Sequence, residues 1–209
     1  MRRIVFLGPP GVGKGTQAAE LAREWKIPHL STGDLLRSAV AEKSALGREA
    51  EGHMKAGRLV PDDLVLQILR ERLARPDATD GFILDGYPRN PAQAAALDAI
   101  TPIDRVISFD LPVEVLQARM VDRRVCPACQ TVYNITTSPP RVAGHCDRDG
   151  AVLVHRPDDR PEAVATRLKV YRDQTAPLLS LYSARGVLQP VDAHGTPDEV
   201  RRRIRRLVP

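Results

Sequence analysis

The chain predicts an α/β fold: a parallel sheet of five strands with helices on both faces. Two observations carry this. Short apolar runs alternate with amphipathic stretches of helical length from one end to the other. The first run, 4–7, passes through a glycine-rich turn directly into a helical pattern, the join that a βα unit needs. Strands are expected at 4–7, 82–84, 106–109 and 187–191, with a weaker one at 28–30. Helices are expected at about 14–25, 33–43, 62–74, 91–99, 113–123, 162–185 and 197–207. Thr32 can cap the second helix, and Pro61-Asp62-Asp63 puts a proline and two acids in the first turn of the third. Thr196-Pro197-Asp198-Glu199 starts the last helix in the same way. Pro177 falls inside the 162–185 pattern and is expected to kink it. There is no internal repeat.

Two segments depart from the alternation. Residues 31–60 are helical and polar. Residues 124–159 hold all three cysteines of the chain, several β-formers and Pro139-Pro140, and read as a small insertion of short strands. At 209 residues the chain is one large domain or one domain with such insertions. Hydrophobic content of 43% with 27% charged residues is that of a globular protein. No apolar stretch is long enough to cross a membrane and the opening MRRIVFLG is too short for a signal peptide, so a cytoplasmic location is expected. The net charge of +5 fits either nucleic acid or a site for several phosphates. Most of the basic residues are arginine, which suits bidentate phosphate contacts. The cluster Arg201-Arg202-Arg203-Ile204-Arg205-Arg206 wraps most of a helix and reads as a solvated face.

The strongest chemical signal is Gly8-Pro9-Pro10-Gly11-Val12-Gly13-Lys14-Gly15-Thr16. Its glycines let backbone N–H groups approach an anion, and the helix that follows adds its N-terminal dipole. Lys14 brings a full positive charge to the end of a bound triphosphate. A plain glycine turn with a solvated lysine explains the loop but not both flanks. Gly15 stands where the common form of the loop has Ser or Thr, and the hydroxyl comes one place later at Thr16. The run Phe82-Ile83-Leu84 ends in Asp85, where enzymes with this loop place a carboxylate near magnesium.

Gly8–Thr16, Ser31-Thr32-Gly33-Asp34-Leu35-Leu36-Arg37, Asp85-Gly86-Tyr87-Pro88-Arg89 and Arg156-Pro157-Asp158-Asp159, taken together and in this order, resemble the adenylate kinases, and most closely the long bacterial type with a metal-bearing lid. The resemblance runs over nearly the whole chain. It implies a fold of the P-loop NTPase type, with a core of 1–30, 61–121 and 160–209, a nucleoside monophosphate-binding insertion of 31–60 and a lid of 122–159. It implies the reaction Mg·ATP + AMP ⇌ 2 ADP in a monomer, with no nucleic-acid or membrane partner. By position it implies that Gly11, Val12, Gly13, Lys14, Gly15 and Thr16 wrap the ATP phosphates and that Arg119 and Arg123 face ATP. Val132 and Tyr133 of the lid and Gly195 of the last loop would contact its base and ribose. Thr32 and Arg37 would meet AMP, with Arg58, Leu59 and Val60 lining the adenine pocket by backbone. Gly86, Tyr87, Pro88 and Arg89 would continue that site, and Gln93 would read the adenine edge. Arg156 and Arg167 would hold the transferring phosphates, and Asp158 and Asp159 would hold the arginines. Lys14, Asp85, Arg89, Arg123, Arg156 and Arg167 would form the catalytic set, with Mg²⁺ brought by ATP.

Phosphoryl transfer asks the protein for positioning and charge rather than covalent chemistry, and none of the five histidines sits in a motif for a general base. Cys126-Pro127-Ala128-Cys129 and Cys146-Asp147-Arg148-Asp149 form two paired turns that can close a tetrahedral zinc site, Cys126, Cys129, Cys146 and Asp149. Spacing favours Asp149 as fourth ligand over His145 and Asp147. An odd cysteine count argues against disulfides. Asn134-Ile135-Thr136 fits a glycosylation acceptor, but nothing directs the chain to secretion. Three rival readings remain: a kinase for UMP or CMP, a zinc-containing nucleic-acid-binding protein, and a regulatory switch that consumes ATP without a second nucleotide.

Overall fold

A computed structural model describes residues 2–208. Five parallel strands form the main sheet: β1 (Arg2–Leu7), β2 (His29–Ser31), β3 (Gly81–Asp85), β4 (Arg105–Asp110) and β7 (Leu188–Asp192), in the order β2-β3-β1-β4-β7. β1 lies between β3 and β4, with Ile4 opposite both Ile83 and Arg105. The period-two geometry of a strand sorts its side chains onto two cores. Ile4, Phe6, Ile83, Ile107 and Phe109 face one side, packed by Leu21, Leu116, Met120, Val164 and Ile204. Val5, Leu7, Leu30, Leu84 and Val106 face the other, packed by Leu36, Leu69, Leu97 and Leu178. Burial on both faces is why these strands are unbroken apolar runs rather than alternating ones.

The helices on the first side are α1 (Lys14–Trp25), α6 (Val113–Val121), α7 (Pro161–Val170) and α9 (Pro197–Leu207). Those on the second are α2 (Thr32–Ala41), α3 (Ala45–Lys55), α4 (Asp62–Leu73), α5 (Pro91–Asp98) and α8 (Pro177–Ala184). α9 carries the expected cap: the Thr196 hydroxyl accepts from Glu199 N while Glu199 accepts from Thr196 N at 2.7 Å.

Three expectations are corrected. Ser31, not Thr32, caps α2, accepting from Asp34 N at 3.2 Å. Thr32 is instead buried, and its hydroxyl donates to Gly86 O at 2.9 Å. The 162–185 pattern is not one helix: a π-helical turn, Tyr171–Thr175, follows α7, and Pro177 opens α8. A proline that cannot donate and a following helix register force the wider turn there, with Ala176 N donating to Tyr171 O at 2.8 Å. Finally, 31–60 holds a second helix, α3, whose pattern Gly47 and Gly52 interrupt. Gly47 is required by packing, since a Cβ there would collide with the Ala39 carbonyl of α2.

The small antiparallel unit is β5 (Arg123–Val125) paired with β6 (Val132–Asn134), joined by bridges Val125↔Val154 and His145↔Val152. Among the described residues its own buried core is Cys126, Tyr133, Cys146 and Leu153, with Cys129 and Ala151 packed against it. Because the sheet is parallel, the carboxyl ends of β1, β2 and β3 open on one edge, where α/β proteins place their ligands.

Candidate functional site

A cavity of about 470 Å³ opens at that edge, walled by the glycine-rich loop, the start of α2, the end of β3 and the base of the lid segment. Every member of the expected catalytic set lines it: Lys14, Asp85, Arg89, Arg123, Arg156 and Arg167. So do Gly11, Gly13, Gly15, Thr16, Thr32, Arg37, Arg58, Leu59, Val60, Gly86, Pro88, Gln93 and Val132. Among the described residues, Val12, Tyr87, Arg119, Tyr133 and Gly195 are not in its wall. Val12 and Tyr87 are core side chains at 2% and 1% exposure. Tyr133 points into the small lid core, its hydroxyl 3.4 Å from Cys146 Sγ. Gly195 lies in the turn before α9, against Glu199.

The loop presents its lysine in a primed geometry. Lys14 Nζ donates to the Gly8 and Pro9 carbonyls at 2.7 and 2.9 Å. Burial lowers its pKa to about 8, with Arg89, Arg167 and Arg123 adding repulsion and Asp85 opposing them. The charge is thus held by backbone dipoles and one carboxylate in a strongly cationic surround. A Cβ at Gly15 would lie 3.4 Å from Asp85 Oδ2, so the absent side chain keeps the approach to that carboxylate open. Asp85 stays acidic: burial pushes its pKa up, but the nearby His29 ring and the Lys14 charge outweigh it and the net shift is downward. His29 Nε2 stands 3.6 Å from Asp85 Oδ2 and also lines the cavity.

The arginines are held by carboxylates. Asp159 is fully buried and pairs with Arg123 Nη2 and, at 2.8 Å, with Arg167 Nη1. Asp158 pairs with Arg167 at 3.1 Å. Asp34 pairs with Arg37 and reaches Arg156 at 3.5 Å, tying the start of α2 to the end of the lid segment. Arg89 Nε donates to Gly86 O at 2.7 Å, and its own carbonyl accepts from Thr175 Oγ1 at 2.7 Å. Burial and the neighbouring Arg167 bring the Arg89 pKa down to about 10, and burial and Arg37 do the same to Arg156. Cations crowded at this cost mark a site built for anionic ligands.

Sequence reasoning missed His29 and Asp34 as parts of the cavity wall and Asp62 as the carboxylate behind Gln93, which accepts from Gln93 Nε2 at 2.7 Å. Asp34 lay inside a quoted motif, which was a usable signal. His29 and Asp62 reach the site only through tertiary contact.

The lid cysteines form two matching turns. Cys126 O accepts from Gln130 N at 3.0 Å and Cys146 O accepts from Gly150 N at 2.9 Å. Gln130 and Gly150 close these turns in the left-handed region, at φ 58° and 72°. Sulfur and carboxylate donors of Cys126, Cys129, Cys146 and Asp149 all lie within 4.8 Å of one another. Cys129 and Cys146 Sγ are 3.5 Å apart, against the edge of about 3.8 Å that Zn–S bonds of ~2.3 Å make in a tetrahedron. The set fits a structural zinc ion. Asp147 instead accepts from Arg141 N at 2.8 Å and the His145 ring turns to Ala143 O, while Asp149 is the carboxylate that stands with the three thiols.

Comparison with known proteins agrees with this geometry. The family model described as adenylate kinase matches residues 6–187. An adenylate kinase of Thermodesulfovibrio yellowstonii is 48% identical over 95% of this chain and 94% of its own length. One of Symbiobacterium thermophilum is 47% identical over 98% and 97%, and one of Staphylococcus aureus 46% over 90% of each. A family model over most of the chain and relatives near 47% identical over at least nine tenths of each length place it plainly: this chain belongs to the adenylate kinase family.

Proposed function

We propose that the chain moves the terminal phosphoryl group of ATP to AMP, giving two ADP, reversibly. The observation that carries this is the convergence of Lys14, Arg89, Arg123, Arg156 and Arg167 on one cavity, two of them locked by the buried Asp159. That is more positive charge than one triphosphate needs, and it suits two nucleotides meeting end to end.

Gly11, Gly13 and Gly15 offer backbone donors to the ATP phosphates, with Val12 anchoring the loop in the core. Lys14 leaves the Gly8 and Pro9 carbonyls for phosphate oxygens. Asp85 and Thr16 would hold the magnesium brought with ATP, which would supply neutralising charge to the phosphates. Arg119, Arg123, Val132, Tyr133 and Gly195 are assigned to ATP, the last two through their backbone. Thr32, Arg37, Arg58, Leu59, Val60, Gly86, Tyr87, Pro88, Arg89 and Gln93 are assigned to AMP, with Arg89 on its phosphate. Arg156 and Arg167 take up charge on the phosphoryl group in flight. We read 31–60 and 122–159 as the two segments that close over the nucleotides and exclude water, which would otherwise compete as acceptor. The rest of the chain, 1–30, 61–121 and 160–209, is read as the fixed core. We further read the chain as a cytoplasmic monomer, a compartment in which the lid thiols stay reduced for zinc.

AMP is expected to be the preferred acceptor over GMP, CMP and UMP in a coupled assay with ATP. Gln93→Leu is expected to weaken that preference while leaving the KM for ATP near its original value. Equal turnover of UMP and AMP by the unaltered protein would overturn the adenine assignment and favour a pyrimidine nucleotide kinase.

A pH dependence follows from Lys14, whose pKa burial brings down to about 8. A polyanion at Nζ raises that value, so binding takes up a proton wherever the free lysine is neutral. Below pH 8 the lysine is charged in both states and affinity is full. Above it, ATP affinity is expected to fall by about tenfold per pH unit until the bound-state pKa is reached. Calorimetric titration of a non-hydrolysable ATP analogue between pH 7 and 9.5 checks this; a flat affinity across that range contradicts it.

A further inference from the structure

Gln93 is 3% exposed and lines the cavity, yet both ends of its amide are already engaged from behind. Its Oε1 accepts from Arg89 N at 2.7 Å, and its Nε2 donates to Asp62 Oδ1 at 2.7 Å. A backbone N–H can only donate and an ionised carboxylate can only accept. The two partners therefore dictate which end of the amide is oxygen and which is nitrogen. One lone pair on Oε1 and one hydrogen on Nε2 remain, in a defined order.

Asp62 also holds the element that carries Gln93. Asn90 caps α5, its Oδ1 accepting from Gln93 N at 2.8 Å. The Asn90 Nδ2 donates to both carboxylate oxygens of Asp62, at 3.1 and 3.0 Å. Asp62 stands in the first turn of α4 and is not in the cavity wall.

We propose that Asp62 is a specificity-determining positioning residue: by fixing the sense of the Gln93 amide, it makes the site select an adenine edge over a 6-oxopurine edge. This rests on the reading of Gln93 as the residue that meets the acceptor base. Along its N6–N1 edge adenine offers a donor and then an acceptor, which the remaining Oε1 lone pair and Nε2 hydrogen match. Hypoxanthine offers an acceptor, O6, and then a donor, N1–H. To meet that edge the Gln93 amide must turn over. Turning it over aims Oε1 at the Asp62 carboxylate and Nε2 at the Arg89 N–H, so two bonds become two repulsions. Asparagine at 62 can accept or donate, so it removes the charged half of this lock and leaves the Arg89 half.

The test is the ratio of kcat/KM for AMP to that for IMP, with ATP as donor, in the unaltered protein, Asp62→Asn, Asp62→Glu and Gln93→Leu. Asp62→Asn is expected to lower the ratio by about tenfold or more, through a fall for AMP together with a rise for IMP. Asp62→Glu, which keeps a carboxylate, is expected to restore most of the preference. A merely structural role would lower both substrates alike and leave the ratio unmoved; that result overturns the proposal. If Gln93→Leu lowers the ratio while Asp62→Asn does not, the base-reading role of Gln93 stands and the positioning role falls. If Gln93→Leu leaves the ratio unchanged, the base-reading role itself is wrong. Should Asp62→Asn fail to fold, the side-chain amide of Gln93 in ¹⁵N-labelled unaltered protein decides the matter. A protected, slowly exchanging Nε2 hydrogen is expected; rapidly exchanging hydrogens at random-coil shifts overturn the proposal.

Discussion

Replacing Arg123 or Arg167 by alanine is expected to lower kcat/KM by about 10²-fold or more, the scale on which lost oxyanion donors and arginine fingers act. Both guanidinium groups are held against the fully buried Asp159, and Arg167 also against Asp158. They are thus oriented before any nucleotide arrives, and no reorganisation is needed as charge moves between phosphates. Arg89 and Arg156 are expected to show losses of the same order. Lysine should rescue only part of each loss, because a point charge does not reproduce a bidentate fork. The four differ in what removal does to folding. Taking away Arg123 or Arg167 leaves Asp159, with no exposure of its own, short of a partner, so the melting temperature should fall with activity. The Asp34 partner of Arg156 is 37% exposed, and losing Arg156 should leave stability nearly unchanged. Steady-state kinetics beside thermal unfolding separates the effects. Near-normal activity in all four alanine variants would mean that the site map is wrong.

Removing zinc is expected to lower the melting temperature by several degrees and to loosen 124–159 while sparing the glycine-rich loop. The lid core contains four buried residues, and two of them, Cys126 and Cys146, belong to the group that fits the metal. Val142 and Val152, which could have enlarged it, are 63% and 64% exposed. A unit this small cannot hold its fold by apolar burial alone. A metal bound only by the folded state adds its binding free energy to stability. Coupling of only about 3 kcal/mol would shift the midpoint by roughly 6–12 °C in a chain of this size. Cys126→Ala should lose the metal, and Asp149→Cys should keep it. Activity at low temperature should fall less than stability, since Lys14, Asp85, Arg89 and Arg167 stand outside the lid, and the lid's Arg123 and Arg156 are paired with Asp159 and Asp34, away from the metal group. Elemental analysis of protein purified without added metal, with unfolding curves taken with and without a chelator, checks this. A trace of zinc per chain together with unmoved curves would sink it.

What the sequence determined by itself was local or repeated. The strands were legible because burial on both faces turns each into an apolar run, as in Ile4-Val5-Phe6-Leu7. The phosphate loop was legible because its strand, glycines, lysine and helix are contiguous. The zinc-site group was legible because each half of it is a single turn; spacing already favoured Asp149, and the structure adds that Asp147 and His145 are engaged elsewhere. The arginines were legible only as positions in a family pattern, since an isolated arginine on a helix has no signature of its own.

The tertiary structure decided the rest. α3 escaped because Gly47 breaks the helical pattern for a reason found only on α2, where the Ala39 carbonyl leaves no room for a Cβ. The π-turn before Pro177 lies where the chain passes from α7, whose Val164 packs on one face of the sheet, to α8, whose Leu178 packs on the other; the proline marked the place but not the form of the break. Ser31 took the cap from Thr32 because the Thr32 hydroxyl has a partner 54 residues away, at Gly86. Asp62 reaches Gln93 across 31 residues, and Asp34 reaches Arg156 across 122. No periodicity or local propensity carries such pairings. They exist because a parallel sheet brings the carboxyl ends of distant strands to one edge, where buried charges and amides must find partners or remain unsatisfied.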